Sequence, residues 1–156
     1  MPAIGDDARM APSAPSAPLA ATPLDRALTR VGDRWTLLVV EALLDGPRRF
    51  GELSDALSGI APNVLAARLR KLEGERLVVS TPYSTRPVRH AYELTADGRE
   101  LAGALAVLGS WAVRVDGIQS GVPYHDRCGT ALELRPWCPT CGLPVDDADA
   151  DDVDRL

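Results

Sequence analysis

Apolar side chains recur along this chain with the spacing of short amphipathic helices, broken by glycine and proline. Leu24, Ala27, Leu28 and Val31 share one face of a helix predicted over residues 24–31. Gly32 interrupts it, and Asp33 is placed to cap a second helix over residues 34–44. That helix is apolar at Trp35, Leu38, Val39, Ala42 and Leu43, and Asp45-Gly46-Pro47 ends it. A third helix, over residues 49–57, buries Phe50, Leu53 and Leu57, and Ser58-Gly59-Ile60 forms the turn after it. Pro62 opens a fourth helix over residues 62–73, at the position where a missing amide costs nothing. Leu65, Leu69 and Leu72 line its inner face. Arg68 lies three residues from Leu65, Arg70 and Lys71 flank the leucines, and Asn63, Ala66 and Ala67 point outward.

The period then changes. Val78 and Val79 start a strand, residues 81–87 carry two prolines and read as a loop, and residues 89–94 return as a second strand. Thr95 caps a long final helix over residues 96–115. Its apolar stripe includes Leu101, Leu105, Leu108, Trp111, Ala112 and Val115. A domain this small covers only part of that stripe, so the remainder predicts a partner subunit. Residues 1–22 are rich in Ala, Pro and Ser and are expected to form a disordered arm. The start of the chain lacks a basic region followed by a long apolar run. The run from Trp35 to Val40 ends at Glu41, far short of a membrane span. The expectation is a cytoplasmic protein, located on the nucleoid, with no membrane partner.

Charge first argues against a nucleic-acid ligand, because the net formal charge is -5. The distribution changes that picture. Residues 25–120 hold 13 basic and 12 acidic side chains, whereas residues 143–156 hold six Asp against one Arg. Residues 77–92 hold two Arg, one His and no acid, so a local basic surface fits within an acidic chain. Arg48 and Arg49, at the start of the third helix, are candidate phosphate contacts. Asn63 sits where a recognition helix begins and suits adenine or a phosphate. Arg68, Arg70 and Lys71 suit guanine edges or phosphates, and Arg86 and Arg89 suit the minor groove or the backbone. Each alone is as readily a solvated cation. Their joint placement on a helix-turn-helix-hairpin pattern is what points to double-stranded DNA. The chain lacks a glycine-rich phosphate loop, a nucleophile elbow and an HExxH pair, so an enzyme is not expected.

Several local motifs now combine. They are the turn from Gly32 to Trp35, Arg49-Phe50-Gly51-Glu52-Leu53, Ile60-Ala61-Pro62-Asn63-Val64-Leu65, Arg68-Leu69, and Tyr92-Glu93-Leu94-Thr95-Ala96-Asp97-Gly98. Together they resemble the HxlR-type winged helix-turn-helix regulators over about residues 23–116. The resemblance implies a mainly α (α+β) winged fold with a long C-terminal dimerisation helix. It also implies a homodimer built through the N- and C-terminal helices, with Leu24, Leu28, Leu101, Leu105, Leu108, Trp111 and Val115 at the interface. It assigns recognition to residues 62–71, the wing to residues 81–89, and the target to a partly palindromic operator. A homodimeric repressor is the expectation, with repression or activation set by where the operator lies relative to the promoter. There are two departures. Members usually carry Cys just before the segment matching Pro23-Leu24-Asp25, and some use it to sense oxidants; Thr22 stands here, which excludes that thiol mechanism. Ala61 stands where many members have Ser, which removes a hydroxyl cap.

Beyond the long helix, His125, Cys128, Cys138 and Cys141 follow the pattern H-x2-C, nine residues, C-x2-C. One nitrogen and three sulfurs suit tetrahedral structural zinc, so the expectation is a small metal-knuckle tail. The alternatives are a Cys138–Cys141 dithiol with Cys128 resolving it, or four unlinked residues. The expected organisation is an arm over 1–22, a winged domain over 23–117, a zinc-binding extension over 118–145 and an acidic disordered tail over 146–156. Two alternatives to DNA regulation stay open. One is a winged helix used to dock protein, and the other is a redox- or metal-responsive switch in the tail. A small-molecule effector is also open, with Trp35, Trp111 and Tyr92 read first as core or dimer-interface residues and alternatively as the lining of a modest apolar pocket.

Overall fold

The computed structural model describes residues 22–117, 124–132 and 135–145. The expected arm, except Thr22, and the expected acidic tail lie outside the described residues. Among the described residues, five helices and three strands form the main body. Helix α1 spans Pro23–Val31, α2 Arg34–Leu44, α3 Phe50–Ala56, α4 Pro62–Gly74 and α5 Ala96–Asp116. Strand β1 spans Arg48–Arg49, β2 Val78–Thr85 and β3 Val88–Leu94, in the antiparallel order β1-β3-β2.

The caps explain the helix starts. The Thr22 hydroxyl accepts from Asp25 N at 3.1 Å, and Asp33 Oδ1 accepts from Trp35 N and Thr36 N at 3.1 Å each. The Thr95 hydroxyl accepts from Gly98 N at 3.1 Å and donates to the Arg76 carbonyl at 2.8 Å. That second bond ties the start of α5 to the end of α4. Gly98 is buried at the same junction, where a Cβ would run into the Leu77 carbonyl oxygen.

The core is aliphatic. Val39, Val40 and Leu43 of α2 meet Leu53 of α3, Leu65, Leu69 and Leu72 of α4, and Leu94 of β3. All are almost fully buried. Burial of side chains of this size contributes about 1.5–3 kcal/mol each before entropy is counted. Leu101 and Leu105 of α5 pack against this cluster. Further along α5, Leu108, Trp111 and Val115 are exposed in the protomer, as are Leu24 and Leu28 of α1. The stripe of α5 therefore divides between the domain core and an uncovered half.

Two local expectations change. Arg48 and Arg49 pair with Tyr92 and Ala91 as a short strand, so α3 starts one residue later than its apolar period suggests. The segment expected to be a loop over residues 81–87 is strand as far as Thr85. Pro82 is tolerated because β2 lies at the sheet edge, and the register shifts between Pro82 and Ser84. The hairpin closes through Arg86 and Pro87, joined by a cis peptide bond.

The tail corrects the metal expectation. It contains a short bridge between Tyr124 and Ala131, and a hairpin of β4 (Trp137–Cys138) with β5 (Leu143–Pro144). His125 Nδ1 lies 3.2 Å from Cys128 Sγ in the first piece, and Cys141 N points to Cys138 Sγ at 3.5 Å in the second. Tetrahedral zinc needs four donors around one point. Among the described residues no three His, Cys, Asp or Glu side chains are grouped to hold a metal ion. His125, Cys128, Cys138 and Cys141 thus do not form a zinc site, and the extension is not a metal knuckle. Their turns are shaped by backbone bonds instead: Cys128 N and Gly129 N donate to the His125 carbonyl, and Gly142 N donates to the Cys138 carbonyl. Gly129 and Gly142 take the left-handed conformation these turns need.

Candidate nucleic-acid interface

Helices α3 and α4 form the helix-turn-helix. Gly59 bends the turn at a φ of 89°, and Ile60 is buried beneath it. The Ala61 carbonyl accepts from Val64 N and Leu65 N, but Ala61 offers no side-chain cap, as its lack of a hydroxyl requires.

The burial of Leu65, Leu69 and Leu72 fixes the rotation of α4. With 3.6 residues per turn, the opposite face carries Asn63, Ala67, Arg70 and Gly74. Asn63 and Arg70 are exposed, and Ala66 and Ala67 are half-buried. Among the described residues Arg70 makes no ion pair or side-chain hydrogen bond.

The other two cations of α4 turn the opposite way. Arg68 forks onto Asp33, with Nε to Oδ1 at 2.6 Å and Nη2 to Oδ2 at 3.1 Å. The same carboxylate caps α2, and its pKa is held below the usual aspartate value first by the Arg68 hydrogen bond, against a smaller opposing effect of burial. Lys71 Nζ donates to the Thr29 carbonyl near the end of α1 at 3.2 Å. Arg30 of α1 reaches Glu75 beyond α4 at 3.6 Å. These contacts bind α4 to the α1–α2 junction.

The wing is the hairpin of β2 and β3. Arg86 and Arg89 are exposed at and beside its tip. Arg49 lies at its base, with its guanidinium 4.4 Å from the Tyr83 ring centroid, a stacked arrangement that restrains the arginine. Its backbone N–H donates to Glu52 at 2.6 Å. Arg48 is paired with Asp45 at 3.1 Å on the exposed surface. Asn63 and Arg70 of α4, Arg49 of β1, and Arg86 and Arg89 of the hairpin are all exposed.

Of the three aromatic residues expected in the core, the interface or a pocket lining, Trp35 and Tyr92 pack against the aliphatic core. Tyr92 lines an open cavity of about 400 Å³ between α3 and the wing, with Phe50, Tyr83 and His90. Burial, and then Glu73 nearby, push the Tyr92 hydroxyl above its usual pKa. Trp35 lines a different depression with Arg34, Leu38 and Leu57, and Trp111 lies exposed on α5. The Asp33–Arg68 fork and the Arg49–Tyr83 stack escaped the sequence reading. The first had a signal: Arg68 sits one turn from Leu65 and Leu72, on the side of α4 where a charge needs a partner.

This geometry has close relatives. The model of the HxlR-like helix-turn-helix matches residues 30–117. An uncharacterized HTH-type transcriptional regulator of Mycobacterium tuberculosis is 41% identical over 123 residues, covering 77% of each chain. The reduced form of the transcriptional regulator YodB from Bacillus subtilis superposes with a TM-score of 0.52 at 32% identity, over 58% of this chain and 89% of that one. A candidate transcription factor from Pseudomonas aeruginosa superposes with a TM-score of 0.61 at 34% identity, over 81% of this chain and 88% of that one. Among the described residues no helix is long and apolar enough to cross a membrane. The chain belongs to the HxlR-like helix-turn-helix family and is a winged-helix, DNA-binding transcriptional regulator rather than an enzyme.

Proposed function

We propose that the protein is a homodimeric repressor that binds a partly palindromic operator on the nucleoid, within the cytoplasm. The observation that carries this reading is the exposed face of α4, with Asn63 and Arg70 exposed there and Arg86 and Arg89 exposed on the hairpin. On this reading α4 enters the major groove, and Asn63 and Arg70 reach base edges. Arg86 and Arg89 hold the neighbouring groove or backbone, and Arg48 and Arg49 hold phosphates at the start of α3. Arg68 and Lys71 contribute differently, by holding α4 against α1 and α2.

The dimer follows from the uncovered apolar half of α5. Leu108, Trp111 and Val115, with Leu24 and Leu28, form a set too apolar to favour water. A second copy covers them, while Leu101 and Leu105 link the contact to the core. Two-fold symmetry then places the two α4 helices about one DNA turn, roughly 34 Å, apart.

A gel shift with DNA upstream of the protein's own gene tests this. The expected result is a sequence-specific shift that weakens steeply with salt and is weakened in Arg70→Ala. The absence of a shift with any genomic fragment favours a protein-docking role for the winged helix.

A further inference from the structure

The centre of the exposed face of α4 is neither charged nor polar. Ala67 lies opposite the buried leucines Leu65, Leu69 and Leu72, with Asn63 one turn before it and Arg70 one turn after. Asn63 and Arg70 are exposed, whereas Ala67 is half-buried. Its short side chain therefore stands between two longer polar side chains on that face. The other two cations of α4 are held away from this position. Arg68 is held by Asp33, and Lys71 by the Thr29 carbonyl.

In the major groove one base pair carries an apolar group, the C5-methyl of thymine, and a small apolar side chain is its natural complement. An amide reads adenine through two hydrogen bonds, and a guanidinium reads guanine in the same way. The spacing agrees. Asn63 and Ala67 are about 6 Å apart along the helix axis, close to two base steps of about 3.4 Å. Arg70 is about 4.5 Å further along and reaches beyond that on a long side chain.

We propose that Ala67 is a specificity-determining residue that seats a thymine methyl between an adenine read by Asn63 and a guanine read by Arg70. This rests on the reading of α4 as the recognition helix. It goes further by naming the base that the centre of the helix selects and the group through which it does so.

The test uses the full-length chain and DNA selected from a random pool. Each thymine of the selected half-site is replaced in turn by deoxyuridine, which lacks only the methyl. One position should weaken binding about fourfold, the effect of one buried carbon. Ala67→Gly should bind the thymine and deoxyuridine sites alike, and Ala66→Gly should keep the difference. Ala67→Ser, which leaves the helix better supported, should also reduce the ratio towards one. The proposal is overturned if no thymine is sensitive, or if the folded Ala67 variants keep the full deoxyuridine effect. In both cases sequence-specific binding would persist and the α4 reading would stand. If no sequence is enriched at all, both fail together.

Discussion

Replacing Asp33 by Ala removes two functions at once, and their sizes can be separated. The carboxylate accepts from Trp35 N and Thr36 N at 3.1 Å each, capping α2. Loss of such a cap costs about 1 kcal/mol. It also receives the Arg68 fork, with side-chain exposures of 30% for Arg68 and 36% for Asp33. Solvent screens a pair this exposed, so its share is about 0.5–1 kcal/mol. Asp33→Ala should therefore destabilise by about 2 kcal/mol and lower the melting temperature by roughly 10 °C. Asp33→Asn keeps a capping oxygen and should lose only the ionic share. Arg68→Ala should match Asp33→Asn, with a coupling of about 0.5–1 kcal/mol in a double-mutant cycle. The pH dependence has a fixed sign. The folded carboxyl is held below its ordinary value, so the unfolded chain takes up the proton first as acid is added. The difference between wild type and Asp33→Asn is present above pH about 4 and fades as pH falls through the lowered folded value. Thermal melts by circular dichroism measure all of this. Asp33→Asn as damaging as Asp33→Ala, or Arg68→Ala without effect, would refute the reasoning.

Four further outcomes follow from the same structure. Leu69→Ala opens a cavity in the aliphatic core and should cost about 2–5 kcal/mol in a denaturant melt. Gly98→Ala drives a Cβ into the Leu77 carbonyl, and the displaced backbone should cost about 1–3 kcal/mol or more in the same assay. Arg89→Ala, exposed on the wing, should weaken DNA binding uniformly across sequences and reduce the log–log salt slope by about 1 per protomer. In the tail, the Cys141 amide lowers the Cys138 thiol pKa, while Cys138 raises that of Cys141. Iodoacetamide labelling followed by mass spectrometry should therefore show a lower pH midpoint at Cys138 than at Cys141.

Most of the helical frame was legible because its signals are local. Asp33, Pro62 and Thr95 mark helix starts through backbone groups a few residues away, and Leu65, Leu69 and Leu72 mark an inner face by period alone. The strand at Arg48–Arg49 was not legible, since two residues carry no period and their partners lie more than forty positions away. Pro82 hid the length of β2, because sequence does not tell an edge strand from a loop. The different placements of Arg68, paired with Asp33, and Arg70, exposed, depend on the rotation of α4 against α2, a tertiary fact. The zinc expectation failed for a related reason: spacing puts donors in pairs, but only the fold can bring two pairs to one point.

The central claim is that the outward face of α4 reads DNA. The most direct measurement is the affinity of the full-length protein for its own selected sequence, compared with Arg70→Ala at fixed salt. A bidentate arginine contact is worth about 1–3 kcal/mol, so Arg70→Ala should weaken that site by at least about fivefold and relax the preference at one base pair. Equal affinity and unchanged preference in a folded Arg70→Ala protein would contradict the account.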